Sequence, residues 1–124
     1  MNWTATAAIF LGLAVMLGAF GAHGLRARLD DYSIGIYERA VFYHFVHALG
    51  LLVVSVLPRI TGLQSSWTTW VCALLLGGIL IFCGSLYTLA ITGTRWLGAI
   101  TPIGGLAFIA AWFLLALAML RTSR

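Results

Sequence analysis

Four runs of roughly twenty residues, at about 3–22, 38–57, 67–91 and 102–120, are almost free of charge, and they leave this chain few ways to fold. At 1.5 Å of rise per residue, a helix of about twenty residues crosses a hydrocarbon core of about 30 Å. Lipid offers no partner to a backbone N–H or C=O, so each such run has to satisfy its own polar groups as a helix. The composition agrees: of 124 residues 62% are hydrophobic and 8% charged, with a mean hydropathy of +1.05. Soluble domains are roughly 25% charged. The spans use up the length, so the expectation is an all-α membrane protein, an antiparallel bundle of four transmembrane helices forming a single domain over 1–124. A short interfacial segment joins the first span to the second. Only Met1 and Asn2 precede the first run, without the basic region or small-residue cleavage site of a secretory signal, so this span is expected to be retained.

Charge sits at the ends of the runs. All seven basic residues are arginines, spread over segment ends rather than gathered in a patch, which fits membrane anchoring and excludes a nucleic-acid surface. Arg26, Arg28, Arg39 and Arg95 flank one face, while Arg59, Arg121 and Arg124 flank the other, so arginine count does not orient the protein. Between the first two runs, Leu25 to Tyr37 alternates charged and bulky apolar residues and reads as an interfacial segment with Tyr32 and Tyr37 at headgroup level.

Within the spans the polar residues are unevenly distributed. Ala14, Gly18 and Ala22 recur every fourth residue, as do Ala8 and Gly12, a spacing that lets a neighbouring helix come close inside the bundle. In the second span Arg39, Tyr43 and His47 fall at i, i+4 and i+8, with His44 about 60° from His47. That face should look inward, because ionisable groups are costly against lipid; Glu38 and Arg39 lie near enough to the end to snorkel. Pro58 is expected to stop the span. Cys72 and Cys83 lie about 16 Å apart along a helix, too far for a disulfide, and read as small buried hydrophobes. Thr101-Pro102 reads as N-cap and first helical residue of the fourth span, the alternative being a helix from Leu97 kinked at the proline.

Antiparallel topology brings the ends of spans one and three and the starts of spans two and four to one half of the bilayer. His23, Tyr43, His47, Ser85, Tyr87 and Thr101 are therefore a candidate buried polar cluster contributed by all four spans. GAFGAHGL at 18–25, the segment from Tyr43 to Leu49, GSLYTLAITG at 84–93 and LGAITPIGGLAF at 97–108 resemble the YgdD/YwdK family of small inner-membrane proteins of bacteria. The resemblance covers nearly the whole chain. It implies a four-span protein of the bacterial inner (plasma) membrane with no assigned reaction. His44 stands where that family commonly has Gln, so a metal role needing His44 is not implied.

Three functional readings are weighed. The first is a non-enzymatic structural or accessory membrane protein, whose hydroxyls and imidazoles join helices or dock a partner membrane complex or a second copy. The alternative is a small oligomeric channel or transporter using the inward polar face, against which stand the small residues and the lack of a mid-membrane carboxylate. The third, metal or haem at His23, His44 and His47, lacks the carboxylate partners of a di-iron bundle. Asp30, Asp31 and Glu38 are the only carboxylic side chains and lie near water, so no triad or zinc motif can be assembled. The sequence thus assigns no catalytic, cofactor-binding or metal residue and no cofactor. The lipid bilayer is its one certain partner.

Overall fold

The computed structural model describes residues 1–123. Four helices are each long and apolar enough to cross a membrane: α1 (Trp3–Leu25), α2 (Asp31–Thr61), α3 (Ser65–Thr92) and α4 (Arg95–Thr122). Among the described residues there is no strand. The helices run to 23, 31, 28 and 28 residues, so they exceed the hydrocarbon core and carry their ends into the headgroup layers.

Local chemistry sets the ends. Asn2 caps α1, its side-chain oxygen accepting from the Ala5 N–H at 3.0 Å. Asp30 does the same for α2, accepting from the Ser33 N–H at 2.8 Å. The cap starts α2 at Asp31, so most of the segment expected to lie along the interface is instead the first turns of this helix, and the connection is only residues 26–30. Pro58 does not end α2. The α-helical hydrogen bonding lapses at Leu57, and Pro58 then opens one more turn, Pro58–Thr61, where its missing N–H is no loss. Gly62 closes this turn at φ 77°, and Gly93 closes α3 at φ 71°, its N–H donating to the Leu89 carbonyl at 2.8 Å.

Two helices are locally widened by a π-turn: Gly21–Leu25 at the end of α1 and Ile79–Cys83 in the middle of α3. The fourth helix opens with a 3₁₀ stretch, Arg95–Ala99, before the α-helix from Thr101 to Thr122. Thr101 is therefore inside the helical path and not its cap; its hydroxyl reaches back to the Leu97 carbonyl at 3.3 Å.

Packing places α2 at the centre. It is flanked by α1 on one side and α3 on the other, and α4 lies against α3 and reaches α2 through its aromatic side chains. The buried positions of α2, Tyr37, Ala40, His44, His47, Leu51 and Val54, alternate in steps of three and four, the spacing of a helix packed along one seam. Arg39, on the stripe expected to face inward, is exposed, and Tyr37, expected at headgroup level, is 1% exposed. The α4 interface is close. A Cβ on Gly104 would lie 2.7 Å from Phe82 Cβ and 2.8 Å from its Cα, so a side chain there would force α3 and α4 apart. Ala14 is buried and Gly18 meets Val41 of α2, whereas Ala8 and Gly12 face outward. Cys72 and Cys83 are free and buried.

Candidate functional site

The polar residues in the loop-side half of the bundle fall into three small groups. The first joins α2 to α3. His44 is 3% exposed, and its Nδ1 lies 2.9 Å from the Tyr87 hydroxyl. Its ring edge meets Phe10 of α1, with centroids 6.1 Å apart, and its Nε2 is buried without a hydrogen-bond partner among the described residues. Tyr87 in turn stands edge-on to Tyr37, whose hydroxyl donates to the Leu17 carbonyl of α1. Gly21 makes that bond possible: a Cβ at residue 21 would sit 2.8 Å from Tyr37 Cδ1, so only glycine lets the ring lie against α1.

The second group joins α3 to α4. Ser85 and Thr101 approach hydroxyl to hydroxyl at 2.6 Å. Each also has a carbonyl of its own chain segment within reach, Phe82 at 3.0 Å from Ser85 and Leu97 at 3.3 Å from Thr101. One hydroxyl hydrogen goes to a carbonyl and the other across the helix pair, so both groups are satisfied without water. Among the described residues Ser85 is thus engaged with Thr101 and the Phe82 carbonyl rather than with an imidazole.

The third group is aromatic. His47 Nδ1 lies 2.9 Å from the Tyr43 carbonyl; a carbonyl only accepts, so Nδ1 carries the proton. The imidazole stacks on Phe108 of α4 at 3.6 Å between centroids and 15° between planes, with Tyr43 parallel to it at 5.8 Å and Trp112 tilted at 5.8 Å. Trp112 fits because Gly50 leaves room: a Cβ there would lie 2.6 Å from the indole. Phe82 ties this group to the second, its ring 4.6 Å from Tyr43.

Of the six residues expected to converge, the structure brings Ser85 and Thr101 together and stacks Tyr43 beside His47. Tyr87 finds its partner in His44, which the sequence reading left outside the cluster. His23 is exposed on the π-turn at the end of α1, away from the other five. Tyr37 and His44 carried a readable signal: with Ala40, Leu51 and Val54 they continue a seam of alternating three- and four-residue steps along α2. Among the described residues no three His, Cys, Asp or Glu side chains gather where they could hold a metal ion.

Residues 17–105 match the sequence profile of the family described as "Protein of unknown function (DUF423)". The chain is 49% identical over 109 residues to a UPF0382 membrane protein of Staphylococcus epidermidis, covering 88% of this chain and 87% of the relative. It is 46% identical over 111 residues to the UPF0382 membrane protein YwdK of Bacillus subtilis, covering 88% of each. A UPF0382 membrane protein of Staphylococcus haemolyticus is 48% identical over 103 residues, with 83% and 82% covered. No solved structure matches. The matched stretch holds the π-turn of α1, the polar seam of α2, GSLY and TPIGG, and on that ground the chain belongs to the DUF423 family, as a multi-pass membrane protein of unknown function.

Proposed function

We propose that this is a non-enzymatic structural or accessory membrane protein, a compact four-helix unit that acts by docking within the bilayer against a partner membrane complex or another copy of itself. The observation that carries the reading is how the spans use their polar groups. Thr4 bonds Ser55 at 3.0 Å, Tyr37 bonds the Leu17 carbonyl, His44 bonds Tyr87 and Ser85 bonds Thr101, each pair linking two helices. Bonds of this kind hold membrane helices in one arrangement, at about 0.6 kcal/mol each on average. Among the described residues the carboxylic side chains lie at the α1–α2 connection and the first turns of α2, and glycines at 78 and 104 let α3 and α4 close where a pore would have to open. The outer helices α1 and α4 meanwhile present large apolar side chains outward, among them Met16, Phe20, Leu106 and Phe113.

Native mass spectrometry of the protein released gently from its own membranes, with metal analysis of the same sample, tests this. The expected result is a stoichiometric protein partner or a defined homo-oligomer without bound metal. Recovery of a monomer that carries metal, or ion flux through the purified protein in proteoliposomes, would overturn it.

A further inference from the structure

The end of α1 and the start of α2 enclose a groove of about 130 Å³, close to the volume at which an apolar cavity of about 150 Å³ accepts a benzene-sized guest. Its floor is open because Gly18, Gly21 and Ala22 carry little or no side chain, and its far wall is apolar, built by Ile34 and Val41 beside Tyr37. At the mouth stand Arg26 and Glu38, paired at 2.9 Å. This pair sits where the apolar course of α1 ends, at Leu25, and so at headgroup depth. We propose that the groove binds one phospholipid bearing an ethanolamine headgroup, with a length of acyl chain in the groove, its phosphate on Arg26 and its ammonium on Glu38.

Charge complementarity selects the headgroup. The ion pair uses one of the five guanidinium N–H donors and one of the two carboxylate oxygens, and the side chains are 68% and 59% exposed, so both can take a further partner without parting. A lone anionic headgroup would meet Arg26 but also the Glu38 carboxylate. A zwitterion lays its own positive end there. Of the zwitterionic headgroups, choline has no N–H to donate, whereas ethanolamine offers three donors to the carboxylate, the same chemistry as a lysine ammonium. The chain-accepting part is the apolar stretch where Ile34 and Val41 face the bare backbone of Gly18 and Gly21.

Purified protein is exchanged into detergent micelles containing equal amounts of phosphatidylethanolamine, phosphatidylcholine and phosphatidylglycerol with identical acyl chains, and retained lipid is counted by native mass spectrometry. One ethanolamine lipid per protomer should be kept about tenfold over the other two, the factor that one charge-assisted hydrogen bond supports. Glu38→Gln should remove the preference over the choline lipid, and Arg26→Gln should lower retention of all three. Both sites are exposed, so neither change threatens the fold, and a thermal melt of each variant verifies that. Ala22→Leu, which fills the groove, should abolish retention. Equal retention of the three lipids by the wild type, preference for the glycerol lipid, or an ethanolamine preference that survives Glu38→Gln would overturn the proposal.

Discussion

Substituting alanine for Gly104 and, separately, for its neighbour Gly105 isolates what holds α3 and α4 together. The same methyl group is added at adjacent positions of one helix, but it meets different surroundings. At Gly104 the new Cβ lies within 2.8 Å of Phe82 Cα and 2.7 Å of its Cβ, and the obstacle is backbone, which cannot swing aside. At Gly105 the nearest atoms are ring carbons of Phe82 at 3.8 Å, an ordinary contact. Relieving the first clash moves the helices apart by a large fraction of an ångström, which loosens the Ser85–Thr101 hydrogen bond and the seat of Phe108 over Gly78. Overpacking of this kind costs about 1–3 kcal/mol. The intrinsic helix preference of alanine over glycine, about 0.5–1 kcal/mol in water, offsets little here because spans stay helical in lipid even when separated. Gly104→Ala should therefore be destabilised by about 2 kcal/mol and Gly105→Ala should stay within about 0.5 kcal/mol of the parent. The assay is a thermal melt in detergent followed with a thiol-reactive dye, since Cys72 and Cys83 are free and buried and become reactive only when the bundle opens. A Gly104→Ala protein that melts with the parent, or a Gly105→Ala protein that melts lower than Gly104→Ala, would refute the close α3–α4 contact.

Further outcomes follow from other contacts. A double-mutant cycle with His44→Phe and Tyr87→Phe should give a coupling of about 0.6 kcal/mol, with about 1.7 as the ceiling found for membrane proteins; a coupling of zero by the same melt would mean that the 2.9 Å contact contributes nothing. Gly93 holds φ 71° with open space around it, so Gly93→Ala should cost about 1–2 kcal/mol from backbone strain alone, and Gly93→Asn clearly less in a parallel melt. The Asp30 carboxyl is held below its ordinary value of 3.8 by hydrogen bonding to Ser33, its backbone N–H first. Its folded value is thus lower than its unfolded one, so the stabilisation is whole above pH 3.8 and fades as the pH falls through the lowered folded value. Asp30→Asn keeps the acceptor oxygen without the titration, and its melting temperature should vary less with acidification over that window than the parent's.

How far the sequence disclosed this structure depends on the kind of signal each feature sends. Span number and approximate extent follow from run length, because hydrocarbon thickness is the same ruler for every chain. Depth follows too: antiparallel topology alone puts Ser85 and Thr101 in one layer, and their hydroxyls are bonded. Azimuth was harder. Arg39, Tyr43 and His47 form a tidy stripe, yet a charged residue near a helix end bends its long side chain to water and gives no direction; the seam through Tyr37, His44 and Leu51 sets which way α2 faces. The two π-turns sent no signal, since GAHGL and ILIFC contain nothing that an α-helix would refuse. They arise from what the helices pack against.

The π-turn of α3 has a consequence for how the chain tolerates change in length. Five residues from Ile79 to Cys83 occupy a stretch that an α-helix would cover with one fewer, so the strand of sequence carries a spare there. Delete one of them and the helix relaxes to plain α with GSLY still turned toward TPIGG. Delete one residue from Val71–Leu75 instead and the residues between there and the π-turn rotate by about 100°, taking Gly78 from under Phe108. A single-residue gap is thus survivable at one place in this helix, and it is the place where Phe82 meets Gly104 of α4.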